Sequence, residues 1–203
     1  MNQRFSFFSR SVFSDLALES TELLRGEGGR EIPGVRVTEE SKDGVHVTRV
    51  TVLTPEAGRL MQKPVGNYIT IEAPGLRKRN RDLQQQVGEA LAGEVSALLR
   101  DQKFAFRFPQ SFLVVGLGNW RATADSLGPK VVSRLLVTRH LKQYVPSELI
   151  NQLRSVSAIA PGVLGLTGIE TGEIIRGIVE KTGPEAVIAI DSLSARSVDR
   201  IMT

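Results

Sequence analysis

The chain has 203 residues, 41% hydrophobic and 24% charged, with a net charge of +4, which describes an ordinary globular protein able to bury one core. It contains no cysteine, which excludes a disulfide framework, a thiolate zinc site and a cysteine nucleophile, and its two histidines, His46 and His140, exclude any mechanism needing several imidazoles. Phe5, Phe7, Phe8 and Phe13 near the N-terminus are interrupted by Arg4, Ser6, Ser9 and Arg10, so no signal core forms, and no later stretch is long enough to span a membrane. A cytoplasmic protein is expected.

In chain order, Val35 to Thr38, a turn at Lys42-Asp43-Gly44, Val45 to Thr54 and Asn67 to Glu72 read as strands, the first two forming an antiparallel hairpin. The apolar phase slips between Val47 and Val50, which predicts a bulge. Arg77-Lys78-Arg79-Asn80-Arg81 is a basic run between strand and helix, either a solvated connection or a contact for phosphate or an acidic partner. From Arg81 to Arg100, the residues Leu83, Val87, Leu91, Val95, Leu98 and Leu99 recur at helical spacing and predict one long amphipathic helix.

The second half alternates strand and helix. Phe112 to Leu117 is a strand, about Pro129 to Thr138 a helix, Glu148 lies in a short helix, Val156 to Ile159 is a strand, about Thr171 to Lys181 a helix, and Ala186 to Ile190 a strand. Such alternation predicts parallel strands with helical crossovers, an α/β sheet covered on both faces, with the antiparallel hairpin region N-terminal to it. His140, after the helix expected to end at Thr138, reads as a cap on its last carbonyls.

Sites on such sheets gather where the chain leaves the carboxyl ends of the strands. Leu113 to Pro129 supplies a buried strand, the glycine-rich turn Gly116-Leu117-Gly118-Asn119, the carboxylate of Asp125 and a proline suited to a helix's first turn. A nucleotide loop is disfavoured, because the third glycine of such a fingerprint falls on Arg121 and the phosphate-binding lysine is missing. Val187 to Ile190 delivers a second carboxylate, Asp191, at a strand end. If the two approach, one can hold a proton while the other deprotonates a water for attack on a carbonyl. The same pair could cap helices, or clamp a metal with a third ligand. Arg154 to Thr171 is dense in small residues and admits a close backbone, or is simply a buried loop capped at Glu170-Thr171.

The strings Val114-Val115-Gly116-Leu117-Gly118-Asn119-Trp120, Asp125-Ser126-Leu127-Gly128-Pro129, Val137-Thr138-Arg139-His140-Leu141, Ala160-Pro161-Gly162-Val163-Leu164-Gly165 and Gly168-Ile169-Glu170-Thr171 resemble, in order and spacing, the spore germination proteases. The resemblance runs from about Asp15 to the end of the chain. It implies a homotetrameric endopeptidase of the spore core, made as a zymogen, needing no cofactor, and specific for small acid-soluble spore proteins. It also implies Asp125 and Asp191 as the catalytic pair, supported by a loop containing Gly116, Gly118, Asn119, Gly168 and Glu170. Ser14-Asp15-Leu16-Ala17 resembles the family's self-processing point, so autocatalytic cleavage between Asp15 and Leu16 would release residues 1–15 as a pro-segment. Residues 16–203 would then form a single α/β peptidase domain, shortened at the C-terminus relative to the family. The resemblance implies a three-layer, mainly parallel fold similar to hydrogenase maturation endopeptidases, neither membrane nor nucleic acid being a partner. Ala124 and Ser126 depart from the neighbours usual in the family. An inactive fragment or non-catalytic relative that binds spore proteins, and a metal-assisted maturation peptidase using His140 or His46, are the alternatives.

Overall fold

The computed structural model describes residues 16–25, 32–78, 80–101, 110–146 and 153–193. These fall into two compact units, one built from residues up to Leu98 and one from Leu99–Leu193.

The first unit holds helix α1 (Ala17–Arg25), strands β1 (Val35–Lys42) and β2 (Val45–Val52), helix α2 (Pro55–Met61), strand β3 (Gly66–Glu72) and most of helix α3 (Arg81–Asp101). The strands form one antiparallel sheet in the order β1-β2-β3, so the expected hairpin is part of a three-stranded sheet. Asp43 and Gly44 both take positive φ (51° and 81°), the two-residue turn whose twist matches the flanking strands.

The expected bulge is absent: β2 pairs without interruption from Val35↔Val52 to Lys42↔Val45 on one side and from His46↔Glu72 to Val52↔Gly66 on the other. The apolar phase slips because β2 buries different faces at its two ends. Val45 and Val47 pack with Leu83, Ile69, Ile71, Val87 and Ala90, whereas Val50 and Val52 pack on the opposite face with Ala17, Ala57, Met61, Val35, Val37 and Tyr68. Arg49, in phase with Val47, forks onto Glu94 of α3 and reaches Glu40 at 3.0 Å, and those two carboxylates, Glu94 foremost, raise its pKa.

Helix α2 is a feature that the strand pattern concealed. Thr54 is its cap, the Ala57 amide donating to Thr54 Oγ1 at 3.2 Å, and Pro55 opens the first turn. Thr54→Ala is expected to cost about 1 kcal/mol, read as a lower urea midpoint, with Thr54→Ser keeping most of the loss back. Equal midpoints for all three proteins would show that the cap is idle. Asn80 starts α3 in the same way, its Oδ1 accepting from the Asp82 and Leu83 amides at 3.0 and 3.3 Å. The buried stripe of α3 runs through Leu83, Val87, Ala90 and Glu94. Leu91, placed in that stripe from spacing, lies about 80° around the helix from Leu83 and is 53% exposed.

Tyr68 leans on the cluster around Met61, donates to the Pro64 carbonyl at 2.7 Å, and is pushed above its usual pKa of 10.0 by burial of the phenol. Its neutral form therefore favours folding fully below about pH 10, a contribution lost as pH rises through the raised folded value. In a Tyr144→Phe background, the phenolate absorbance of native protein is expected to titrate above the midpoint seen in concentrated urea. Coincident midpoints would count against the burial.

The second unit contains β4 (Ser111–Gly116), α4 (Leu127–Val132), β5 (Ser155–Ile159), α5 (Leu164–Thr167), α6 (Thr171–Thr182) and β6 (Ala186–Ile190). Its three strands are parallel in the order β5-β4-β6, which gives the chain an α/β architecture with one antiparallel and one parallel sheet. The unbroken apolar run of β4 fits its central place, with Leu113 and Val115 fully enclosed. Helix α4 packs on β4 and reaches β5 and β6. It ends at Val132 and not at Thr138 as expected, because the Thr138 amide donates to the Val156 carbonyl and its hydroxyl bonds Arg154 and Val156, stitching this segment to the edge of β5. His140 therefore caps no helix end and lies exposed in the 3-10 turn Arg139–Gln143. The helix expected near Glu148 lies outside the described residues. Among those residues no helix is long and apolar enough to cross a membrane.

Candidate active site

Strands β4 and β6 are joined beyond their carboxyl ends by a hydrogen bond, the Leu117 amide donating to the Ile190 carbonyl at 2.8 Å. The start of α4 is pressed against the same place. A Cβ on Gly128 would stand 2.4 Å from the carbonyl oxygens of both Ile190 and Leu117, and a Cβ on Gly116 would stand 2.3 Å from the Gly128 oxygen. Three backbones meet there with no side chain between them, which only glycine allows.

Asp125 hangs from this junction. The Asn119 amide donates to the Asp125 carbonyl oxygen and to its carboxylate Oδ2, both at 2.8 Å. Gly118 lies at φ 109°, and a Cβ on it would stand 2.2 Å from the Asp125 carbonyl, so glycine is needed there for both conformation and room. Asn119 closes the turn with its side chain, Oδ1 accepting from the Arg121 amide at 2.9 Å, while the Asp125 amide donates to the Ala122 carbonyl at 2.9 Å. Behind the carboxylate, the enclosed Ser126 hydroxyl donates to the Thr123 carbonyl at 3.0 Å.

Asp191 is the first residue past β6, and its Oδ1 accepts from the Ser192 amide at 2.8 Å. Asp125 and Asp191 thus leave neighbouring strands at one edge of the sheet, on segments tied together through Leu117 and Ile190. Each carboxylate has one oxygen on a backbone amide and the other without a partner among the described residues. Such a pair can accept a proton from water and return one to an adjacent group.

Gly116, Gly118 and Asn119 belong to this assembly. Gly168 and Glu170 follow β5, the strand on the other side of β4: Gly168 ends α5 at φ 69°, and the Glu170 carbonyl accepts from the Glu173 amide at 2.9 Å to begin α6. The Glu170 side chain is exposed and caps nothing. Asp15 lies outside the described residues, and Leu16 leads into α1, its carbonyl accepting from the Ser20 amide at 3.2 Å. His46 Nδ1 pairs with Ser41 Oγ at 2.7 Å on the antiparallel sheet. Among the described residues no group of three or more histidines and carboxylates gathers as a metal site. Gly128, where three backbones meet, is visible in the sequence only as Gly-Pro at a helix start, and Arg121 only as the residue that breaks a nucleotide motif.

A family model described as germination protease matches residues 14–203. Among curated relatives, the protein named "Germination protease" from Caldanaerobacter subterraneus subsp. tengcongensis is 50% identical over 95% of this chain and 57% of its own length. Those of the same name from Bacillus cereus and Clostridium tetani are 47% and 40% identical, over 94% of this chain in each case and 52% and 58% of theirs. The chain therefore spans little more than half the length of these relatives.

Proposed function

The chain belongs to the germination protease family, and on that premise we propose that it is an endopeptidase that begins the breakdown of small acid-soluble spore proteins during germination, cutting after acidic residues. The observation that carries the reading is the pair Asp125 and Asp191, each with one carboxylate oxygen on a backbone amide and the other unpartnered among the described residues, on the segments that follow the neighbouring strands β4 and β6. One carboxylate takes a proton from water as the oxygen adds to the peptide carbonyl. The other, protonated at the outset, gives its proton to the carbonyl oxygen. As the tetrahedral diol collapses, the first carboxyl gives the proton it took to the nitrogen, the C–N bond breaks, and a hydroxyl of the diol returns its proton to the second carboxylate, so the pair returns to its starting state.

On the same reading the protein is a spore-core zymogen that cuts itself between Asp15 and Leu16, acts as a tetramer and needs no cofactor. Its parallel unit would share the three-layer arrangement of hydrogenase maturation endopeptidases. The acidic residue before Leu16-Ala17 supports self-processing, because it repeats the preference proposed for substrates.

The test is mass spectrometry of a small acid-soluble spore protein incubated with the purified chain, with and without chelator. Fragments ending in Asp or Glu, in equal yield under both conditions, are expected. Intact substrate would overturn the protease reading for this chain, and cleavage lost to chelator would replace the aspartate mechanism by a metal-assisted one.

A further inference from the structure

Cleavage after an acidic residue brings a third carboxylate beside Asp125 and Asp191, a repulsion that a nearby cation would offset. The turn from Gly116 to Leu127 contains one cationic residue, Arg121. Its backbone is held in the same frame as Asp125, since Asn119 accepts the Arg121 amide on Oδ1 and donates its own amide to Asp125 Oδ2. The Arg121 side chain is exposed, and it makes no ion pair or hydrogen bond with any described residue, including the two carboxylates at its own site. Beside it the indole of Trp120, the chain's one tryptophan, is left 57% exposed. A large exposed aromatic and an exposed guanidinium on consecutive residues of the turn that carries Asp125 offer an apolar surface and a forked donor for a carboxylate.

We infer that Arg121 is the specificity residue that receives the acidic side chain preceding the scissile bond, with Trp120 flanking it. This rests on the endopeptidase reading and adds to it the group that selects the substrate.

The test uses three peptides identical except for Glu, Gln or Lys before the cleaved bond. Wild type is expected to favour Glu over Gln in kcat/KM by about tenfold or more, the worth of a hydrogen bond to a charged group. Arg121→Gln is expected to bring that ratio close to one, and Arg121→Glu to shift the preference toward Lys. A merely structural arginine would lower all three rates together and leave the ratio intact, which overturns the assignment. The same peptides in fluorescent form are titrated into Asp125→Asn protein with and without Arg121→Gln, so that recognition is read without cleavage. If wild type cuts none of the peptides, the endopeptidase reading falls. In that case a Glu preference in binding that vanishes with Arg121→Gln sustains the assignment, whereas no binding, or binding indifferent to Arg121, removes it.

Discussion

Asp125→Asn and Asp191→Asn are each expected to lower cleavage by about 10²–10⁴-fold, the usual worth of a positioned acid or base. Stability should hardly change. Asparagine is nearly the same size and keeps an oxygen that can accept from the Asn119 or Ser192 amide, so the turn survives. Substitutions of this kind at half-exposed or exposed positions usually stay within about 0.5 kcal/mol. The double variant should be about as slow as the worse single variant, because two groups that act as one unit are not additive. Steady-state cleavage with a parallel thermal melt checks all three proteins. Activity near wild type in either single variant would take that aspartate out of the chemistry, and a variant that melts early would identify its carboxylate as a structural fastener.

Gly128→Ala is expected to destabilise the second unit by about 3 kcal/mol or more and to abolish cleavage with it. Helix propensity argues the other way, since alanine in place of a helical glycine favours the helix by about 1 kcal/mol. Sterics win here because the new methyl would meet two backbone carbonyls at 2.4 Å, and neither can move without parting β4 from β6. Gly177 in α6 is the contrast, with open space where its Cβ would go, and Gly177→Ala should raise stability by about 0.5–1 kcal/mol. Urea unfolding of both variants tests the pair together. A Gly128→Ala protein as stable as wild type would show that the three backbones are not locked and do not hold the aspartates in place.

The sequence by itself determined those features that depend on neighbours along the chain. Periodicity marked β4 and β6 as apolar strands and α3 as a long helix, Asp43-Gly44 marked the hairpin turn, and the placing of Asp125 in the glycine-rich turn after β4 and of Asp191 directly after β6 marked the candidate site. Local signals of this kind also carried the family motifs. Tertiary structure alone decided what depends on residues far apart in the chain. It turned the broken phase of β2 into burial on two faces, Val45 and Val47 toward α3, Val50 and Val52 toward α1 and α2. It stopped α4 at Val132 because Thr138 found hydrogen bonds on the edge of β5 that no helix could offer it. It put β4 between β5 and β6, and so brought Leu117 to Ile190 and Gly128 against both. The loss of one carboxylate's freedom to one amide is written in Asn119 and Ser192, but that the two carboxylates share an edge follows only from the order of the strands. Strand order is set by which apolar faces are buried together across the sheet, a sum over distant contacts that no local pattern encodes.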